Sequence, residues 1–380
     1  MKILTIVGAR PQIIKAAALS RTIANHFSNN LVEVILHTGQ HYDNNMSNVF
    51  FEELKIPIPN YTLSLKGTTP EEQMIEMERE INKVIHIETP DLVVVYGDTN
   101  STYSGAKAAF ESKIPLVHIE AGLRSWNNNM PEERNRVYAD KVSTLLFTPT
   151  LAGYKNLINE GFQENNNPPY SVSNPKIYHC GDVMLDNSIF FSDLADKKSE
   201  VLNRFHLTPG KFILATVHRN TNTDHPEKLN AIINALIKIG QEQQVIFPVH
   251  PRTKKMMEQF LSIDSKKDLI NSKKIIVCEP VSFLDMISLE KNCDMIITDS
   301  GGVQKEAFYF KKPCVVLREE TEWIELVECG AAILSGNSDS AKIFETFLRF
   351  KQNPPTIFPD FYGNGDAAKF VAKCILNNLS

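Results

Sequence analysis

The chain has 380 residues, more than one ordinary hydrophobic core holds, so two domains are expected. Hydrophobic residues make up 42% and charged residues 22%, the balance of a soluble globular protein. The net charge of −5 gives no support to nucleic-acid binding, and any anion site must be built locally.

The N-terminus leads straight into an apolar run with no signal-peptide layout. No uninterrupted apolar stretch is long enough to span a bilayer, so a cytoplasmic protein without a membrane partner is expected. The six cysteines, Cys180, Cys278, Cys293, Cys314, Cys329 and Cys374, include no CxxC pair and read as buried, reduced thiols.

In chain order, apolar runs predict strands over 3–7, 33–38, 92–96, 116–119 and 145–149. Amphipathic stretches predict helices over 11–25, 44–54, 70–87, 102–112 and 132–142. The Asn- and Pro-rich stretch 164–174 reads as a loop or linker. A second alternating series comes after it. Its strands fall at 212–217, 244–248, 274–278, 295–298, 314–317 and 332–334, and its helices at 226–241, 253–261, 282–291, 303–310 and 340–350. Strand–helix alternation of this kind implies parallel sheets covered on both faces. The expected architecture is two facing Rossmann-like, doubly wound α/β domains, 1–168 and 175–362, with a C-terminal helix in 363–380 that packs back on the first. Ligands of such sheets bind beyond the carboxyl ends of the strands, which places the active site in the cleft between the domains.

The candidate residues cluster at those strand ends. Gly8-Ala9-Arg10-Pro11-Gln12-Ile13-Ile14-Lys15 follows the first strand and opens a helix. Arg10 offers a planar fork for phosphate, and Lys15 lies near the first turn. The wording is neither GxGxxG nor a Walker loop, so dinucleotide and P-loop readings lose weight. Asp98 follows the strand at 92–96 and Glu120 the strand at 116–119. Glu132 sits in the first turn of a helix that Pro131 starts, with Arg136 a turn further on. Each acid alone is as well explained by a cap, a structural ion pair or a surface acid. Three at one sheet edge suit acid–base chemistry, because clustered carboxylates have pKa values pushed apart.

In the second half, His218-Arg219 and His250-Pro251-Arg252 follow strands and resemble a polyanion pocket. Thr321-Glu322-Trp323 follows another strand and has a Glu or backbone able to hold a ribose or uracil. The most informative segment is 298–308, TDSGGVQKEAF. Ser300-Gly301-Gly302 is expected to turn the chain into a helix from Val303. Its free N–H groups and partial positive charge suit a phosphate, and Glu306 lies a turn inside, where it can accept from sugar hydroxyls. A plain strand–turn–helix corner with a capping Ser explains the segment equally well. No metal-ligand spacing and no GxSxG is present.

Taken in order, GARPQIIK, HTGQHYD, YGDTNST, HIEAGLRS, MPEERNR, HRN, VHPRT, TDSGGVQKEA and TEWIE resemble the non-hydrolysing UDP-N-acetylglucosamine 2-epimerases over nearly the whole chain. Several of these segments look particularly like the branch acting on UDP-2,3-diacetamido-2,3-dideoxyglucuronate. The resemblance implies a glycosyltransferase-B-like fold and interconversion of UDP-GlcNAc and UDP-ManNAc through loss and re-addition of UDP. Neither a cofactor nor a metal is implied. It makes Asp98, Glu120, Glu132 and His218 catalytic, and Arg10, Lys15, Arg136, His218, Ser300, Gly301, Gly302 and Glu306 substrate-binding. Gln40, His41, Arg219 and His250 match parts of a regulatory site of some members, although Tyr42 stands where those members have Arg. A homodimer is the family's common state. The reading from a different class is a UDP-sugar glycosyltransferase of the same architecture, against which the several strand-tip acids argue.

Overall fold

The computed structural model describes residues 1–40, 51, 55–127 and 129–379; the helix expected over 44–54 lies outside the described residues. The chain divides into two compact units, Met1–Asn187 with Asp360–Ser380, and Ser188–Pro359. It passes from the first to the second within the helix Val183–Lys198.

The first unit holds β1 (Lys2–Val7), β2 (Val32–His37), β3 (Tyr61–Thr62), β4 (Leu92–Tyr96), β5 (Leu116–Ile119), β6 (Leu145–Thr148) and β7 (Lys176–His179), in the order β3-β2-β1-β4-β5-β6-β7. All neighbours are parallel. β4 reads LVVVY and is buried along its whole length, as a central parallel strand covered on both faces must be. The strand order reverses between β1 and β4, and that switch point opens a crevice beyond the strand ends.

The second unit repeats the plan with β8 (Phe212–Thr216), β9 (Gln244–Pro248), β10 (Ile275–Cys278), β11 (Met295–Thr298), β12 (Cys314–Val316) and β13 (Ala332–Leu334). Their order is β10-β9-β8-β11-β12-β13, again parallel, with the reversal between β8 and β11. Its core joins Ile213, Ala215, Ile297 and Val315 of the sheet to Leu236, Ile239 and Phe347 of the helices Pro226–Glu242 and Ser340–Gln352.

Several elements have no counterpart in the sequence reading: β3, β7, and the helices Leu151–Asn159, Val183–Lys198, Ile263–Asn271 and Ile324–Glu328. All but Val183–Lys198 are short, and two to four strand residues carry no period to read. The helix expected from Val303 spans Gly301–Tyr309 instead. Ser300 caps it by accepting from the Val303 N–H, so both glycines stand in its first turn rather than before it. The C-terminal helix Ala367–Leu379 packs against the helix Arg10–Thr22 in the first unit, and Asp186 accepts from the Ala367 and Ala368 N–H groups at its start (3.2 and 2.8 Å). Among the described residues, no helix is long and apolar enough to cross a membrane, and all six cysteines are unpaired.

One close approach positions the first site. The helix Asn100–Glu111, started by a Thr99–Thr102 capping box, crosses β1 and β4 at Gly105. A Cβ added there would stand 3.0 Å from Ile6 Cδ1 and Val95 Cγ1. Gly105→Leu is therefore expected to lift the helix and destabilise the protein by about 1–3 kcal/mol. Urea unfolding measures this, and an unchanged midpoint would contradict the close seating.

Candidate active site

β1, β4 and β5 are neighbours, so their carboxyl ends bring 8–10, 97–98 and 120 to one edge. Gly97 turns the chain at φ +61°, its N–H donating to the Ile119 carbonyl at 3.0 Å. An added Cβ at Gly97 would press on Glu120 Oε2 at 3.1 Å and Lys15 Nζ at 3.4 Å. Glu120 also adopts a positive φ (+72°), anchored by its N–H on the Phe147 carbonyl at 3.0 Å. Both acids are paired: Lys15 with Glu120, and Arg136 of the helix Pro131–Lys141 with Asp98. The Glu120 side chain is 9% exposed and that of Asp98 32%. Burial pushes the Asp98 carboxyl above the usual aspartate range. Arg136 and Lys15 pull it down and Glu120 pushes it up, leaving a net rise. Two acids in different electrostatic settings are thus held at adjacent strand ends.

A layer beneath fixes them. His118 is fully buried, with Nε2 2.8 Å from the Gly97 carbonyl and Nδ1 2.7 Å from Asp140 Oδ1. Asp140 also meets Arg124 Nη2 at 2.8 Å and accepts from the Gly122 N–H at 3.2 Å, and Arg124 reaches on to Glu160. Gln12 ties β1 to β4: it accepts from the Gly8 N–H at 2.8 Å and donates to the Tyr96 carbonyl at 2.8 Å. Asn135 donates to the Asp98 carbonyl at 3.0 Å.

In the first turn of the helix that carries Arg136, the buried acid is Glu133. It accepts from the Ser125 and Trp126 N–H groups and lies 3.2 Å from Arg136 Nη1. Glu132 is exposed and stands outside this hydrogen-bonded set. Arg10 opens the helix Arg10–Thr22 at the end of β1. Gln40, expected at a regulatory site, accepts from the N–H and hydroxyl of Ser101 (3.0 and 2.6 Å) at the start of Asn100–Glu111. His41 lies outside the described residues.

In the second unit, Asp299 organises the residues beyond β8 and β11. Fully buried, it accepts from the His218 and Arg219 N–H groups (3.1 and 3.0 Å) and from Asn222 Nδ2 at 3.0 Å. The His218 ring stays 44% exposed, with Nδ1 3.5 Å from Asp299 Oδ1 and its centroid 6.3 Å from that of His250. Its imidazole is held below the usual histidine pKa: burial lowers it, Asp299 opposes, and His250 and Arg219 lower it further. His250 itself caps the helix Pro251–Phe260, accepting from the Arg252 N–H at 3.2 Å. At Gly301 an added Cβ would overlap Glu322, which bonds Arg318 at 2.8 Å and lies 3.9 Å from Arg219. Trp323 donates to the Gly301 carbonyl at 3.0 Å, so it braces the start of Gly301–Tyr309. Sequence reasoning passed over Glu133, Asp140 and Asp299; Glu133 and Asp299 adjoin the singled-out Glu132 and Ser300, and nothing in the sequence marks Asp140.

Paired acids lie at one switch point, and a helix start beside histidine and arginine lies at another, in an α/β chain of two sheet-bearing units. Residues 24–376 match the sequence profile of the UDP-N-acetylglucosamine 2-epimerase family, and the chain belongs to that family. It is 46% identical to a UDP-N-acetylglucosamine 2-epimerase homolog of Methanococcus maripaludis, covering all of both chains. It is 47% identical to the UDP-2,3-diacetamido-2,3-dideoxy-D-glucuronate 2-epimerase of Pseudomonas aeruginosa, over 98% of this chain and 99% of that one. The UDP-GlcNAc 2-epimerase structure from Methanocaldococcus jannaschii superposes with a TM-score of 0.84 at 37% identity, covering 99% and 100% of the two chains. The same enzyme in complex with UDP-GlcNAc and UDP gives 0.82 at 39% identity, with the same coverage. The α/β two-domain, glycosyltransferase-B-like fold expected from the sequence is the one found. Relatives of this family are isomerases acting on carbohydrates.

The Asp140 network is testable by itself. Asp140→Ala takes from the buried His118 and Arg124 the carboxylate they share, leaving Arg124 only Glu160 and the Leu123 carbonyl, and is expected to cost about 3–5 kcal/mol in urea unfolding. Burial alone would raise the Asp140 pKa, but His118 and Arg124 outweigh it and hold the carboxyl below its ordinary value. The stabilisation is therefore present above the unfolded-state pKa and is lost as pH falls through the lowered one. A loss of under about 1 kcal/mol would contradict this role.

Proposed function

We propose that the protein is a non-hydrolysing C2 epimerase of UDP-2-acetamido sugars, interconverting UDP-GlcNAc and UDP-ManNAc. The observation that carries the reading is the pair Asp98 and Glu120, each beside its own cation at adjacent strand ends, in a chain whose relatives are named as UDP-sugar 2-epimerases. The C2 hydrogen of such a sugar is not next to a carbonyl, so simple deprotonation is too costly. One carboxylate takes the C2 proton, the C2–H electron pair forms the C1=C2 bond, and the C1–O bond breaks with its electrons leaving on UDP. The product is a 2-acetamidoglucal. In the return step a UDP oxygen attacks C1 while a second acid delivers a proton to the other face of C2. No UDP is consumed.

The raised pKa of Asp98 suits a group that must both accept and give a proton. Lys15 and Arg136 keep the acids charged and placed, and Arg10 meets the diphosphate. Glu132 contributes a further carboxylate from the helix that bears Arg136. His218, Ser300, Gly301 and Gly302 hold the leaving diphosphate through N–H groups and the imidazole. Glu306, half-buried in the helix Gly301–Tyr309, accepts from sugar hydroxyls.

A second substrate reading has its own support: the 47% identity to the Pseudomonas enzyme favours UDP-2,3-diacetamido-2,3-dideoxyglucuronate with the same mechanism. On family grounds the protein is a cytoplasmic homodimer, with the second site at Gln40, His41, Arg219 and His250 regulatory.

The test is proton NMR of each UDP-sugar incubated with the protein. One of the two is expected to give its C2 epimer without net UDP release. UDP freed in step with turnover would point to hydrolysis, and UDP freed only with an added acceptor to glycosyl transfer. Asp98→Asn and Glu120→Gln are expected to lower turnover roughly 100- to 10,000-fold while UDP binding is largely kept. Loss of UDP binding in either variant would undercut the assigned roles.

A further inference from the structure

A pair of acids in the second unit is not accounted for by the chemistry above. Glu290, near the end of the helix Phe283–Asn292, is 1% exposed. Among the described residues, no hydrogen-bond donor reaches either of its carboxyl oxygens. The group set against it is another carboxyl, that of Glu306 on the adjacent helix Gly301–Tyr309. Of the surrounding charges, Lys305 acts on Glu306 and the others act elsewhere. Lys291 pairs with Asp196 at 2.6 Å, and Arg204 with Asp285 at 2.9 Å. Lys305 Nζ lies 4.3 Å from the centre of the Trp323 ring. Lys312 and Asp294 act on the buried Cys293 thiol, which burial keeps neutral.

A fully buried anionic carboxylate without a donor cannot sit against a second carboxylate, since it loses its hydration and the two repel each other. A single proton removes both difficulties, because the protonated acid donates and the other accepts. The proton belongs on Glu290, which is the more deeply buried of the two and has, among the described residues, no donor at either oxygen. Burial raises its carboxyl in the same sense, and the charge and hydrogen bond of Glu306 add to this. Glu306 is also raised by burial, but Lys305 and the hydrogen bond from Glu290 draw it back toward the anion.

We infer that Glu290 is a positioning residue: it keeps a proton and donates it in a hydrogen bond to Glu306, orienting the Glu306 carboxylate toward the hydroxyls of the bound UDP-sugar. This rests on Glu306 being a UDP-sugar contact. The arrangement carries a pH signature. Glu290 is protonated below its raised pKa, so UDP affinity is full there and declines as pH rises through it. The decline is up to about tenfold per pH unit for one linked proton.

The experiment compares UDP binding by calorimetry, at neutral and alkaline pH, for the wild type and for Glu290→Gln, Glu290→Met and Glu306→Gln. Infrared difference spectra of the same proteins follow the C=O stretch of a protonated carboxyl. Glu290→Gln still donates through its amide N–H, so it is expected to bind UDP as the wild type does at neutral pH but without the extra alkaline decline. Glu290→Met has no donor and is expected to bind roughly tenfold more weakly or worse. The acid stretch is lost in both variants. An acid stretch that survives in both, or an alkaline decline unchanged by Glu290→Gln, overturns the inference. If Glu306→Gln binds UDP as tightly as the wild type, the reading of Glu306 as a contact fails and the positioning role fails with it. The infrared band, lost in Glu290→Gln, would still locate the proton.

Discussion

Two carboxylates at the ends of adjacent parallel strands repel each other, and the first unit is arranged around holding them there. Asp98 and Glu120 are each answered by a cation from a different helix, Arg136 and Lys15. Opposite charge within contact distance offsets the repulsion and part of the desolvation. It does not return Asp98 to an ordinary acidity, because burial is the larger effect. The result is a placed carboxyl of raised pKa beside a more deeply buried one. Such a pair suits the proposed chemistry, in which a proton leaves one face of C2 and another returns to the opposite face.

The second consequence concerns backbone. Gly97 and Glu120 both adopt positive φ, and such turns persist only where their surroundings over-determine them. His118 grips the Gly97 carbonyl from below, Asp140 fixes the His118 ring, and Arg124 fixes Asp140. Gln12 locks the end of β1 to the end of β4. In the second unit, Asp299 gathers the N–H groups of His218 and Arg219 in the same way. In each unit a buried acid or histidine fixes the backbone of the groups proposed to meet the ligand.

Much of this was legible in the sequence. LVVVY and MIIT announce buried parallel strands, and GDT, HIE and SGG mark the polar turns at strand ends. Spacing does not reveal which acid of a helix turns inward. Glu132 and Glu133 are adjacent, but the N–H groups of Ser125 and Trp126 wait on the Glu133 side. The helix start at Gly301 rather than Val303 depended on a cap, and Ser300 could equally have belonged to a turn. Glu290 and Glu306 sit on different helices, and only packing brings their carboxyls together. Motifs report what lies near a strand end in the chain, whereas support layers come from elements distant in sequence.

The central step of the proposed reaction is proton exchange at C2 of a UDP-sugar that is released intact. The direct measurement is incubation of the protein in deuterated water with UDP-GlcNAc and, separately, with UDP-2,3-diacetamido-2,3-dideoxyglucuronate, followed by NMR and mass analysis of the recovered sugar nucleotides. Deuterium at C2 of one substrate and of its epimer, with no build-up of free UDP, is the predicted result. Recovery of both sugar nucleotides without C2 deuterium would contradict the account.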